Sequence, residues 1–244
     1  MKILAIESSC DETSVALLHV SKDSFKLQEH VISSQIAIHS KFGGVVPEVA
    51  ARHHLETLLP LLDKGIGLNK IKEVDLIAVT SGPGLVTSLL VGVETAKALA
   101  FSLNKPLVGI NHLEGHIYAN WISHKELFKL DKKIFPSLAL IVSGGHTEWV
   151  LMKDHGQYQL LGQTLDDAAG EAFDKVATML GLPYPGGPYL ENLAAQGDPY
   201  KYSFRAGQVK TNPLAFSFSG LKTNILYESS RANSVIDLLV LFFC

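Results

Sequence analysis

The sequence predicts an α/β chain with a repeated opening. Apolar runs that read as strands alternate with helical patterns. LAIESSCDETSVALL (Leu4–Leu18) and LALIVSGGHTEWVLM (Leu138–Met152) share one plan: apolar strand, tight polar turn, Thr, apolar strand. At 244 residues and 47% hydrophobic, the chain can fill one large domain or two modest ones and is not a disordered one. The two openings are either duplicated halves or two ordinary hairpins, and the pattern alone leaves both open.

The elements follow in order. Ile3–Ile6 reads as a buried strand, Glu7–Glu12 as a polar turn and Thr13–Leu18 as a second strand. Pro47–Leu62 predicts a helix, with Pro47 suited to its first turn. Asp75–Thr80 reads as a strand, Ser81–Gly84 as a Gly/Pro turn, Leu85–Leu103 as a long helix and Pro106–Ile110 as another strand. His112–Trp121 reads as helical, and Ser123–Lys133 as a charged loop or domain junction. Ser137–Val142, Ser143–His146 and Thr147–Met152 form the second strand–turn–strand. Asp166–Gly181 predicts a helix with Gly181 as its C-cap, followed by a rigid Pro/Gly loop over Leu182–Pro188. Beyond Gly197 the pattern weakens, and Ser229–Cys244 carries no motif.

Charge and cysteine content set bounds. A net charge of −3 gives no support to a nucleic-acid partner, so any such contact needs a local basic patch or a partner protein. Cys10 and Cys244 are too few for a disulfide framework, which points to a reducing interior. Met1–Ile3 runs straight into a strand pattern without a secretory signal. The apolar Ser234–Cys244 is far short of the roughly 18 residues of a membrane helix.

Four segments can carry chemistry. His112 and His116 stand four apart, so a helix projects both imidazoles from one face, near enough to share a divalent ion. Imidazole suits iron or zinc. Glu114 between them is misplaced for a metalloprotease HExxH, and a structural histidine pair is the competing reading. His53 and His54 diverge on a helix and read as surface or packing residues. Ser143-Gly144-Gly145-His146-Thr147 is either an anion-binding nest or a hairpin turn that needs positive φ. The lysine-bearing phosphate loop is absent. Glu7–Thr13 offers carboxylates for a metal-bound phosphate or for general-base work, or is a solvated acidic turn. Asp166 and Asp167 suit the first turn of a helix through its dipole, and Asp174 lies too deep for that explanation. Gly186-Gly187-Pro188 either admits a ligand or simply turns the chain.

Together these segments resemble one family, the universal tRNA N6-adenosine threonylcarbamoyltransferases. The matching stretches are IESSCDETSVAL, FGGVVPEVAARHH, SGPGL, NHLEGH, VSGGHTE, DDAAGEAFDKVATMLGLPYPGGP and FSFSGLKT, in order from Met1 to about Ile225. The resemblance implies an actin-like ATPase fold: two ribonuclease-H-like lobes around a nucleotide cleft, here residues 1–133 with the histidines and 134–244 as an incomplete second lobe. It implies transfer of a threonylcarbamoyl group from threonylcarbamoyl-adenylate to N6 of adenosine 37 in tRNAs reading ANN codons. His112 and His116 match the family's metal histidines, with Fe2+ expected ahead of Zn2+. Ile141, Val142, Ser143, Gly144 and Gly145 match the adenylate loop. Asp174, Gly187 and Glu191 match further substrate positions, and Asp11 and Glu12 match the acidic turn implicated in catalysis.

The resemblance also implies partners: tRNA, an inactive paralogue as heterodimer mate and a small P-loop ATPase, with no membrane and a cytoplasmic setting. Family members continue for roughly a quarter of their length beyond this chain. That stretch carries a substrate-contacting Asn and the Asp that supplies a third metal ligand. Its loss is expected to expose apolar surface in the second half. The competing functions are a small-molecule kinase on the same fold, an endopeptidase, and an inactive scaffold of the modification complex.

Overall fold

The computed structural model describes residues 1–22, 24–124, 134–198, 207 and 209–229. The chain divides into two compact units, Met1–Asp131 and Lys132–Cys244.

In the first unit, β1 (Lys2–Glu7) and β2 (Glu12–Val20) pair antiparallel, and β3 (Phe25–Ser34) pairs antiparallel on the far side of β2. β4 (Leu76–Gly82) lies parallel to β1, and β5 (Leu107–Asn111) parallel to β4. The order is β3-β2-β1-β4-β5, a mixed sheet. Period-2 alternation puts Leu4, Ile6, Val15, Leu17, Ile77 and Val79 in the core. Each such side chain contributes roughly 1.5–3 kcal/mol on full burial. β3 alternates half-buried and exposed positions at the sheet edge, and its polar face hid it from the sequence pattern.

Helices pack against this sheet. After α1 (Ile36–His39), α2 (Pro47–Pro60) starts on Pro47 as expected and ends before the expected Leu62, which lies in a π-helical turn, Leu61–Ile66. The short α3 (Leu68–Lys72) leads into β4. α4 (Val86–Leu103) buries Ser88, Gly92, Ala96 and Ala100, a stripe of small residues every four positions. That stripe lets it approach β4 and α2 closely. By length and composition α4 is apolar enough to cross a membrane. One face of it packs into the core through Ala96 and Ala100, while Val86, Leu90 and Phe101 are exposed. α5 (His112–Ser123) follows β5 directly. From residue 125 to 133 the expected junction lies outside the described residues.

The second unit opens with the same antiparallel meander: β6 (Ser137–Val142), β7 (Thr147–Asp154) and β8 (Gln157–Gln163), in the order β6-β7-β8. Leu138, Leu140 and Val142, on one face of β6, are exposed at 57%, 46% and 54%. A separate helical core joins Val176, Ala177, Leu190, Ala194 and Ile225. Its helices are α6 (Ala169–Met179), α7 (Gly186–Ala194) and α8 (Ser219–Ser229).

Two expectations here are corrected. The helix starts at Ala169, not Asp166, so neither Asp166 nor Asp167 lies in its first turn. Asp166 instead accepts hydrogen bonds from Ser217 Oγ (2.6 Å), Phe218 N (2.8 Å) and Ser219 N (3.3 Å), and so caps α8. Asp167 pairs with Lys175 (2.8 Å) and Lys222. The Leu182–Pro188 loop is cut short because α7 begins at Gly186, whose N–H donates to Asp174 Oδ1 (2.7 Å). Gly181, with φ of 72°, follows the end of α6 as expected. Residues 230–244, including most of the segment without a motif, lie outside the described set.

Candidate functional site

The first cluster grows from the turn between β1 and β2. Ser8 and Ser9 are buried. Ser8 Oγ donates to Ser88 O (2.8 Å) and accepts from Gly92 N (3.2 Å), so a Cβ at residue 92 would collide with it at 2.4 Å. Ser9 O accepts from Leu85 N (2.7 Å), and Gly84 lies so close to Ser9 O that an added Cβ would sit 2.5 Å away. The SGPGL motif and α4 therefore clamp the front of the turn.

Its rear rests on a buried polar network. His54 Nε2 donates to Cys10 O (3.0 Å), so its Nδ1 accepts from Thr13 Oγ1 (2.7 Å). Gln35 N donates to Asp11 O (3.1 Å), and Gln35 Oε1 accepts from His39 Nε2 (3.0 Å). Gln35, His39 and His54 are fully buried. Burial pushes the His54 imidazole below its ordinary pKa, although its bond to Cys10 opposes the shift.

Asn111 fixes the start of α5. Its Oδ1 accepts from Leu113 N (2.8 Å) and Glu114 N (3.3 Å), a side-chain N-cap, and Glu114 sits in the first turn, where the helix dipole favours an acid. His112 and His116 then project from one face. Their Nε2 atoms are 3.0 Å apart, and the rings meet edge to face with centroids 4.5 Å apart. His112 Nδ1 points the other way, 3.1 Å from Ser9 Oγ and 3.3 Å from Glu7 Oε2.

The sequence reading counted Glu7 among the carboxylates of the turn but did not single it out. Glu7 ends β1 and accepts from Thr80 Oγ1 on β4 and from Ser9 N (2.5 Å). Burial raises its pKa, but the hydrogen bonds from His112, Ser9 and Thr80 outweigh burial and bring it down to about 2. The carboxylate at the histidines is therefore Glu7. Asp11, half-buried, and Glu12, exposed, lie further along the turn and at the head of β2.

The histidine pair suits a divalent cation. At 3.0 Å apart, both nitrogens can reach one ion at about 2.1 Å. A carboxylate on the opposite nitrogen of a ligand histidine is the common supporting arrangement. Among the described residues no set of three or more His, Cys, Asp or Glu side chains is placed to share an ion, so this pair could supply two ligands at most.

The second cluster lies in the other unit. Ile141 and Val142 end β6, and Ser143 Oγ accepts from Gly145 N (3.3 Å) and His146 N (3.0 Å) across the turn. Gly144 and Gly145 do not have positive φ, and a Cβ on either meets nothing within 4 Å. Neither a positive φ nor packing demands glycine at these two positions. Gly170 differs: its Cβ would meet Ser143 O and Gly144 Cα, both at 2.8 Å, so the start of α6 packs against the loop. Asp174 is engaged in capping α7, Gly187 has open space at its Cβ position, and Glu191 is exposed on α7.

Comparison with known proteins gives a consistent result. The family model described as tRNA N6-adenosine threonylcarbamoyltransferase matches residues 26–242. Curated proteins of that name are similar: one from Protochlamydia amoebophila is 51% identical over 99% of this chain and 68% of its own length. One from Moorella thermoacetica is 50% identical over 96% and 66%, and one from Kosmotoga olearia 55% over 93% and 66%. The chain spans about two thirds of these relatives, so the unmatched part is nearer a third than the expected quarter. Among solved structures, YeaZ from Pseudomonas aeruginosa aligns with a TM-score of 0.41 and 20% identity, over 65% of this chain and 63% of that one.

Proposed function

The chain belongs to the tRNA N6-adenosine threonylcarbamoyltransferase family, and on that premise we propose that it serves threonylcarbamoyl transfer to N6 of adenosine 37 in tRNAs reading ANN codons. The donor is threonylcarbamoyl-adenylate. Adenine N6 attacks the carbamoyl carbon, the bond from that carbon to the phosphate oxygen breaks, and AMP leaves. The N6 proton passes to a carboxylate, for which Asp11 and Glu12 are the candidates.

The observation that carries the reading is the His112–His116 pair, with its two Nε2 atoms 3.0 Å apart. These residues would hold one divalent ion, Fe2+ ahead of Zn2+. When bound, such an ion supplies Lewis-acid stabilisation of charge on carbonyl or phosphate oxygens. Ile141, Val142, Ser143, Gly144 and Gly145 would hold the adenylate, with the glycines leaving room for backbone N–H groups to meet it. Gly187 and Glu191 would border the same substrate, and Asp174 would hold the start of α7 in place beside it. An exposed anticodon-loop base is the acceptor that such chemistry needs, since a stacked base hides its edge.

The partners in this proposal are tRNA, an inactive paralogue of the same fold and a small P-loop ATPase, acting in the reducing cytoplasm. A kinase reading leaves the histidine pair without a task. The test is reconstitution with those partners, iron, threonylcarbamoyl-adenylate and unmodified tRNA, with modified adenosine read by mass spectrometry. Modification that His112→Ala and His116→Ala each abolish supports the proposal. No modification, even after the C-terminal third of a longer relative is supplied, overturns it in favour of a scaffold.

A further inference from the structure

We propose that Glu7 is the positioning residue of the histidine pair: it holds His112 by Nδ1–H, so that His112 turns its Nε2 toward His116. Use of that nitrogen by a cation rests on the metal reading above. The orientation of His112 does not.

The argument is geometric. A carboxylate without a proton has only acceptor sites, and Glu7 Oε2 lies 3.3 Å from His112 Nδ1. Nδ1 must therefore carry the hydrogen, and in the neutral ring the lone pair is then on Nε2. Ser9 Oγ, 3.1 Å from the same nitrogen, can accept from it as well. Glu7 is itself tightly placed. It closes a strand flanked on both sides, β2 antiparallel and β4 parallel. Thr80 Oγ1 and Ser9 N each donate to it, and Thr80 is 7% exposed. A group held by strand backbone and by two further donors fixes a neighbour better than one on a free loop. Asp11 and Glu12 lack that support from β4.

The position also explains why a glutamate suits this site. Its two oxygens divide the work: Oε1 takes Ser9 N, and Oε2 takes Thr80 and His112. An amide offers one oxygen and one NH2, so Glu7→Gln must turn donors toward donors on one side. Alanine removes both acceptors and leaves His112 free to exchange its hydrogen between nitrogens.

The experiment uses the full metal-free chain with 15N-labelled histidine, and Zn2+ alone as the probe. Long-range 1H–15N correlation reads the His112 tautomer, and chelator competition reads the Zn2+ affinity. In the wild type the expected state is Nδ1–H. Glu7→Ala should shift His112 toward Nε2–H and weaken Zn2+ binding about 10–100-fold, the usual effect of losing such a support. Glu7→Gln, which keeps the shape and is read if the alanine variant fails to fold, should weaken it less. A wild-type His112 in the Nε2–H form overturns the assignment. So do folded Glu7 variants with unchanged tautomer and affinity. A tautomer that depends on Glu7 in a chain that binds no Zn2+ sinks the metal reading and leaves the Glu7 assignment standing.

Discussion

His116 Nε2 lies 3.0 Å from His112 Nε2, one turn further along α5. Two imidazoles this close share something between them, either one proton or one cation. If it is a cation, His116→Ala removes a direct ligand. Metal affinity should fall by more than the roughly 100-fold upper range for loss of a supporting residue. His116 is exposed, so the melting temperature should hardly move. Metal content after dialysis against defined Zn2+ decides this, and an unchanged content rejects the shared ion.

The buried network under the turn gives a pH dependence. His54 is held neutral, its folded pKa below the unfolded value of about 6.5. Over the range where the unfolded chain binds that proton and the folded one does not, stability rises with pH. The contribution is therefore whole above about pH 6.5 and declines as pH falls below it. Denaturant titrations at pH 7.5 and 5.5 should show wild type losing more stability than His54→Gln. Equal losses would remove His54 from the account.

Glycines in the β6–β7 region separate packing from ligand approach. Gly170→Ala places a Cβ 2.8 Å from Ser143 O and should cost about 1–3 kcal/mol by displacing the loop. Gly144→Ala and Gly145→Ala meet open space and should leave stability within about 0.5 kcal/mol. If the loop holds the adenylate, those two variants should nevertheless weaken binding of a non-hydrolysable adenylate at least tenfold. Calorimetry of unfolding and of binding on the same proteins reads both quantities. Unaltered binding would make this an ordinary hairpin.

Asp166 ties the start of α8 to the end of β8. Asp166→Ala should lose a cap worth about 1 kcal/mol and speed amide exchange at Phe218 and Ser219. Burial acts to raise its pKa, but the bonds from Ser217, Phe218 and Ser219 prevail and lower it. The cap therefore holds above the unfolded value of about 3.9 and weakens as pH falls through the lower folded value. Exchange at those amides that matches wild type would show that the cap contributes nothing.

What the sequence disclosed was local, and what it hid depended on distant partners. β1, β2, β4, β5 and the long helices carried their own periodicity. So did the histidine pair, because four residues on a helix place two side chains on one face. Glu7 looked like one acid of a turn, and its role emerges only when Thr80 and His112 are brought beside it by β4 and β5. Asp166 had a local explanation in the helix dipole, while its actual partners lie in the segment that opens α8. β3 read as nothing because its outer face is polar, and Gly186 read as loop because Asp174, its cap, sits a helix away.

The central claim is that the chemistry takes place at N6 of one base. The most direct measurement follows label from threonylcarbamoyl-adenylate, carbon-14 in the threonine, in a single turnover with the chain and its partners. The acceptors are two anticodon stem-loops, one with adenosine 37 and one with purine riboside there, which lacks the N6 amine. The account predicts label in the adenosine stem-loop, none in the purine one, and loss of transfer in His112→Ala. Label in both stem-loops, or transfer that survives His112→Ala, would contradict it.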